Sequence, residues 1–515
     1  MPKIKVHEKA LAHLSRGLYR SPASALRELV SNAWDANATT VTINTNFPNF
    51  YQLSIEDDGI GFNRSDFAQL MQGGIGNSQK RPSDLKLIND RPVIGRFGIG
   101  MLGIAQVCGA FIVTSKPRDG SEGFRARVQL FDLLKERLDA DDPDVVASHK
   151  PEAPEYPDEV YAGNYDFEEF DADSARYGTR ILADDLHPTF IKTFQESLVG
   201  SKAVPMNWSK AIEVISSKRS LQELGDYWRL LWELAAACPL PYLSAAVLPD
   251  SLITQDHKRL KKYGFNVVID GIDLAKPVRL QDNPGGYTWH LIEEQRQQVY
   301  GRNLVFHGYI VVQEGLNLRP DEFRGIMIRI KDVAVGYYDT SMLDYRINEG
   351  PRSRWLTGEI YVSEGLEDAL NIDRDSFNKF HPQYKALQTY IHNVLQKTIF
   401  PNVYKKIEVR SEARAESREQ AHTQHLKEVL KAHTGTTVNL KQTAAGDDER
   451  SVQITENAKG LTLNLPPQES LKTKKNHRQL ASAIMAVFEM SLREPGKEKQ
   501  RTRFRELLLD LLDKW

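Results

Sequence analysis

Residues 26–36 read Leu26-Arg27-Glu28-Leu29-Val30-Ser31-Asn32-Ala33-Trp34-Asp35-Ala36. On a 3.6-residue period Leu26, Leu29, Val30 and Ala33 form an apolar stripe, which predicts a helix packed on a core. Glu28, Asn32 and Asp35 fall at i, i+4 and i+7, so a carboxylate, an amide and a second carboxylate share another face. A carboxylate can orient and deprotonate water, and an amide oxygen is a hard ligand suited to Mg²⁺. The same spacing also describes an amphipathic helix with a solvated polar side. The stretch therefore needs support from elsewhere in the chain.

Residues 40–44 and 52–55 read as short β-strands around a Phe-Pro-Asn turn. The second runs into Glu56-Asp57-Asp58-Gly59-Ile60-Gly61-Phe62. A carboxylate at a strand end, followed by glycines that let a ligand approach the backbone, suits a flat polar ring. An adenine amino group would donate to Asp57. Further on, Gly95-Arg96-Phe97-Gly98-Ile99-Gly100-Met101 precedes an apolar helical pattern over 102–107. Glycines opening a helix expose N–H groups toward phosphate, although no P-loop Lys-Ser/Thr follows these. Ahead of them, Gly73-Gly74-Ile75-Gly76-Asn77-Ser78-Gln79-Lys80 opens a polar stretch through Arg91. It reads as a lid presenting hydroxyl, amide and amine groups. Gly178-Thr179-Arg180-Ile181-Leu182 enters another strand.

In order and spacing these segments resemble the signature of the gyrase, heat-shock chaperone, histidine kinase and mismatch-repair MutL (GHKL) ATPases. That signature is E-L-x-x-N-A-x-D-A, then D-x-G-x-G, then G-x-x-G-x-G, then G-T, and here it covers residues 28–179. The resemblance implies an α/β (α+β) Bergerat-type ATP-binding domain, a helix layer on a mixed sheet, with ATP and Mg²⁺ as cofactors. It makes Glu28 the general base, Asn32 the Mg²⁺ ligand and Asp57 the adenine reader. Gly59 and Gly61 would line the base pocket, Gly98 and Gly100 would cradle phosphate, and Thr179 would hold the adenine end through water. Asp35, Ala36, Phe62, Asn77, Ser78, Lys80, Gly95, Ile99 and Met101 complete the implied binding set. Histidine kinases generally lack the glutamate base, so Glu28 favours hydrolysis over protein phosphorylation.

Leu370-Asn371-Ile372-Asp373-Arg374-Asp375 resembles the L-N-[IL]-S-R-E stretch of HtpG-type chaperones. The resemblance implies that Arg374 reaches the ATP γ-phosphate, a task suited to a permanently charged planar guanidinium. Asp373 departs from the family serine, and Arg374 could instead pair with its flanking aspartates. A MORC-like ATPase, whose second domain supplies a lysine, is the other branch.

A chain of 515 residues holds two to four units on length alone. Hydrophobic content of 41% and charged content of 26% exclude a disordered or fibrous chain. A net charge of −2 makes no global electrostatic case for nucleic acid. Cys108 and Cys238 sit in apolar contexts and show no zinc or disulfide spacing, which suits a reducing compartment. With no secretory h-region and no 18-residue apolar run, the expectation is a cytoplasmic protein without a membrane partner. The expected units are an ATP-binding domain over 1–187 with an acidic loop inserted at 137–177, a middle α/β domain over 188–400 carrying Arg374, and a mainly helical region over 401–515. Strands of the middle domain are expected at 265–269, 304–312, 326–330 and 359–362. Alternating charges over 405–431 predict an exposed helix. Leu507, Leu508, Leu511, Leu512 and Trp515 form an apolar stripe for a core or a dimer seam.

The whole predicts an HtpG-like homodimeric clamp that couples ATP hydrolysis to motion on a protein client. A DNA-associated MORC- or topoisomerase-like ATPase, motivated by basic clusters at 472–475 and 497–505, is a second reading. An ATP-gated scaffold for a partner subunit of a multi-protein defence system is a third.

Overall fold

The computed structural model describes residues 3–6, 22–72, 87–94, 104, 107–130, 160–171, 175–197, 207–243, 252–280, 286–371, 375–434, 438–442, 453–457, 460–465, 496–499 and 502. The chain divides into two units, Met1–Phe400 and Pro401–Trp515.

The decisive stretch lies in helix α1 (Pro22–Asp35). Proline opens the helix where a missing N–H costs nothing. At its other end Asn37 takes a left-handed φ of 60°, and the Ala38 N–H donates to the Ala33 carbonyl at 3.0 Å, which stops the helix. Burial runs well beyond the apolar stripe. Arg27 and Glu28 are buried with it, whereas Asn32 is exposed and Asp35 half-buried. Trp34 is fully buried, edge-on to Tyr263 and Phe265 with ring centroids 5.2 and 5.1 Å away.

Helix α1 shares one hydrophobic core with a nine-stranded mixed sheet of order β1-β6-β5-β4-β7-β3-β2-β8-β9. Its strands are β1 (Lys3–Val6), β2 (Thr40–Asn44), β3 (Leu53–Asp57), β4 (Cys108–Lys116), β5 (Phe124–Leu130), β6 (Val160–Glu168), β7 (Gly178–Leu186), β8 (Asn266–Ile269) and β9 (Ile272–Asp273). Helices α2 (Arg64–Gln72), α3 (Pro188–Ser197), α4 (Trp208–Ser217), α5 (Asp226–Ala237) and α6 (Leu252–Lys262) complete this part, with α5 against α1 and α3. This is the helix layer on a mixed sheet that the resemblance implies.

Two expectations change. The acidic stretch 137–177 is not loop throughout: Val160–Glu168 forms β6, antiparallel to β5 and β1. Residues 265–269 do not join the middle sheet. They supply β8, which runs parallel to β2 from Thr40↔Asn266 to Ile43↔Ile269. Strand periodicity identifies a strand but not its partner.

A second sheet has the order β10-β11-β14-β12-β13. It comprises β10 (Tyr287–Val299), β11 (Arg302–Gln313), β12 (Gly325–Ile330), β13 (Val333–Asp339) and β14 (Leu356–Glu364). Lys331 and Asp332, with φ of 50° and 71°, make the tight turn between β12 and β13. Under the sheet lies a wholly buried ionic cluster. The Arg329 guanidinium donates to Glu359 at 2.7 and 3.0 Å, Lys276 Nζ lies 3.7 Å from the same carboxylate, and Tyr242, Tyr338 and Tyr361 donate hydroxyls to it. Although burial works the other way, Arg329 and then Lys276 hold the Glu359 carboxyl well below the usual range. Burial, followed by Arg329, pushes the Lys276 ammonium down to about 7.

Helix α7 (Pro382–Val394) passes through a π-turn at Leu395–Ile399 into α8 (Phe400–Thr434). In the second unit, Glu412, Arg414, Glu416 and Arg418 on α8 are exposed, as the alternating charges predict. A three-stranded sheet, β15 (Val438–Gln442), β17 (Gly460–Leu465) and β16 (Gln453–Asn457), follows, a departure from the mainly helical expectation for 401–515. The stripe at 507–515 lies outside the described residues. Among the described residues no helix is long and apolar enough to cross a membrane.

Candidate functional site

At the end of β3, Asp57 pairs in register with Thr179 on β7. The chain then turns sharply: the Gly59 N–H donates to Asp57 Oδ1 at 2.9 Å and the Ile60 N–H to the Ala36 carbonyl at 2.8 Å. The loop is thereby folded onto the C-terminal end of α1. A Cβ at position 59 would lie 2.7 Å from the Ala36 oxygen and 2.8 Å from Asp57 Oδ1. Gly61, with a φ of 66°, presses as closely on the Lys116 carbonyl. The glycines are therefore required by the close approach of three backbones.

Ser115 on β4 closes the cradle. Its hydroxyl accepts from the Phe62 N–H at 3.0 Å, donates to the Gly178 carbonyl at 3.1 Å, and stands 3.2 Å from the Thr179 hydroxyl. Burial pushes the Asp57 carboxyl up to about 6, against the lowering effect of the Gly59 and Thr179 backbone hydrogen bonds. Asp58 is differently employed. Its carboxylate accepts from the Thr39 and Thr40 backbones at 2.7 and 2.9 Å, and despite some burial these bonds and the Thr39 hydroxyl lower its pKa. Of the two adjacent aspartates, Asp57 is the one set in the cradle.

Along α1, Asp35 Oδ1 accepts the Ile94 N–H at 2.8 Å, so this carboxylate steadies the segment leading to Gly95. Arg91, buried just before it, donates to the carbonyls of Ala38 and Tyr263 at 2.6 and 2.7 Å and lies over the Trp34 ring at 4.8 Å. One turn from Asn32, Glu28 borders a shallow cleft shared with Arg27, Ile94, Lys331, Glu367 and Leu370. No three His, Cys, Asp or Glu side chains among the described residues form a metal site of their own. The exposed Asn32 amide offers a hard oxygen donor of the kind Mg²⁺ accepts.

Arg27 turns away from solvent toward the second sheet's side of the cleft. Its Nη1 lies 2.7 Å from Asp375 Oδ1, and its Nη2 lies 3.7 Å from Glu28 Oε1. Ser24, one turn earlier, donates to Asp375 Oδ2 at 3.0 Å. Asp375 therefore pairs with α1.

The structure brings Glu28, Asn32, Asp35, Ala36, Asp57, Gly59, Gly61, Phe62 and Thr179 into one region of the first unit. Asn77, Ser78, Lys80, Gly95, Gly98, Ile99, Gly100, Met101 and Arg374 lie outside the described residues. Sequence reasoning missed Ser115, Arg91, Arg27 and Asp375. Only Arg27 carried a signal, as a charge beside the apolar stripe.

Residues 19–137 match the family described as histidine kinase-, DNA gyrase B-, and HSP90-like ATPase. Over 94 residues, 18% of this chain, the sequence is 44% identical to a putative type II restriction enzyme, HgiDII, of Herpetosiphon aurantiacus. Over 99 residues, 19% of this chain, it is 33% identical to the DNA mismatch repair protein MLH3 of Saccharomyces cerevisiae. The matches span 15% and 13% of those relatives' lengths. A solved chain described as the N terminal domain of a DNA repair protein is 12% identical with a TM-score of 0.36, covering 76% of this chain and 97% of that one. At that score the likeness carries no argument about fold or function.

Proposed function

We propose, from the premise that residues 19–137 are a GHKL-superfamily ATPase segment, that this protein binds ATP with Mg²⁺ and hydrolyses it to ADP and phosphate. The observation that carries this reading is the Asp57 cradle, formed with Gly59, Thr179 and the end of the helix that bears Glu28 and Asn32. Asp57 accepts the adenine amino group, and Thr179 supports that end through its hydroxyl. Asn32 offers its amide oxygen to Mg²⁺. When bound, the ion neutralises charge on the transferring phosphoryl group. Glu28 orients a water and takes its proton as the water oxygen bonds to the γ-phosphorus and the bridging oxygen leaves with ADP. The guanidinium of Arg374 stabilises charge developing on the γ-phosphate.

Glu28→Ala tests the mechanism. ATP affinity by calorimetry stays within about threefold, while steady-state turnover falls at least about 100-fold, the usual contribution of a general base. Normal turnover in that variant overturns the reading.

For the output, the DNA-related names of the two curated relatives favour a DNA-associated ATPase. The competing reading, a dimeric clamp on a protein client, rests on Leu370–Asp375. Its buried end, Asp375, sits against α1, where an HtpG-like middle-domain arginine would be needed.

A further inference from the structure

One charged group beside the proposed base is shared between two carboxylates. Arg27 is 3% exposed and is held in its charged form by Asp375 and Glu28 against the effect of burial. The sharing is unequal, 2.7 Å to Asp375 and 3.7 Å to Glu28. The stronger partner is itself tied down. Asp375 is 6% exposed, and its second oxygen accepts the Ser24 hydroxyl. Its carbonyl approaches Gly336 on β13 so closely that a Cβ there would lie 2.5 Å from it. Ser24 and Arg27 stand at i and i+3, so both oxygens of Asp375 are gripped by one face of α1.

We propose that Asp375 is a positioning residue that holds Arg27 off Glu28 and so leaves the Glu28 carboxylate available to water. The proposal rests on the reading of Glu28 as the general base. A buried guanidinium deprived of one carboxylate closes on the other, because an unpaired charge at low dielectric is costly. Here the other is Glu28. A Glu28 carboxylate locked in a short pair with Arg27 has fewer lone pairs left to orient a water. The pair therefore links the β13 side of the cleft to the reacting end of α1 through charge.

The test is a double-variant cycle on the full chain, with ATP affinity read by calorimetry and turnover by phosphate release. Asp375→Asn lowers kcat about tenfold or more, with ATP affinity unchanged within about threefold. Adding Arg27→Gln to that variant removes the intruding charge and restores kcat at least about threefold. If Asp375 acted only by placing its neighbour Arg374 or by anchoring the loop, deleting a charge on α1 would restore nothing. A double variant as slow as Asp375→Asn, or an Asp375→Asn enzyme of unchanged kcat, overturns the proposal. Should Asp375→Asn fail to fold, Ser24→Ala loosens the same carboxylate without removing a charge. It lowers kcat about two- to fivefold at unchanged affinity, and an unchanged kcat overturns the proposal equally. Glu28→Ala, run alongside, reports separately on the base: full turnover there defeats the mechanism whatever the cycle gives.

Discussion

Asp57 is placed where it costs the empty protein something. Its carboxyl titrates near 6 instead of 3.8 because burial penalises the anion more than two backbone hydrogen bonds relieve it. Three expected outcomes belong to this residue. Asp57→Asn weakens ATP binding about tenfold or more in a calorimetric titration, since a charged acceptor is lost and an NH₂ group can face the adenine amine. In the wild type, ATP affinity declines as pH falls through about 6, where the anion is lost. Stability runs the other way. The folded carboxyl binds its proton more tightly than the unfolded one, so the penalty is fully present above pH 6 and fades as pH drops from 6 toward 4. Denaturant midpoints of the wild type and Asp57→Asn should accordingly converge on acidification, with the variant the more stable at pH 7. That Glu28 and Asn32 lie on a helix and Asp57 at a strand end is legible in the sequence, because each sits in a short patterned run. The pairing of Arg27 is not. Its charge stands beside the apolar stripe, but nothing local points to its partner Asp375, which lies 351 residues beyond Ser24.

At the level of elements, the register between β3 and β7 depends on one missing side chain. Gly178 holds a φ of 112°, and a Cβ there would stand 2.0 Å from the Asp57 carbonyl. Gly178→Ala therefore destabilises the fold by about 3 kcal/mol or more, read as a lowered urea midpoint, and displaces Asp57 with it. The second sheet depends on Glu359 in an analogous way. Glu359→Ala leaves Arg329 and Lys276 buried without their shared anion, a loss of about 3–5 kcal/mol in the same measurement. Which segments form elements was largely readable from periodicity: α1, β2, β3, β7 and the long charged α8 lie where their patterns predict. Which elements become neighbours was not. Residues 266–269 read as a strand, yet nothing in Asn-Val-Val-Ile specifies β2 as its partner. The acidic composition around 160–168 also concealed an inner strand, because only alternate residues of β6 such as Tyr165 need be apolar.

For the whole molecule, the decisive measurement is turnover with and without duplex DNA. A DNA-associated ATPase shows stimulation that collapses between about 50 and 200 mM salt, because phosphate contacts release counterions. A protein-client clamp shows no DNA effect and suppresses aggregation of an unfolded substrate. The assembly of the first unit carries a further consequence. Strand β2 acquires its outer neighbour only from Asn266–Ile269, and Trp34 acquires its ring partners from Tyr263 and Phe265. A growing polypeptide on the ribosome must therefore keep β2 as an open edge until some 220 more residues have been made, exposed meanwhile to edge-to-edge association. A fragment cut at the limit of the recognisable nucleotide motifs would inherit that open edge permanently. A piece that keeps β2 covered therefore extends at least through β9.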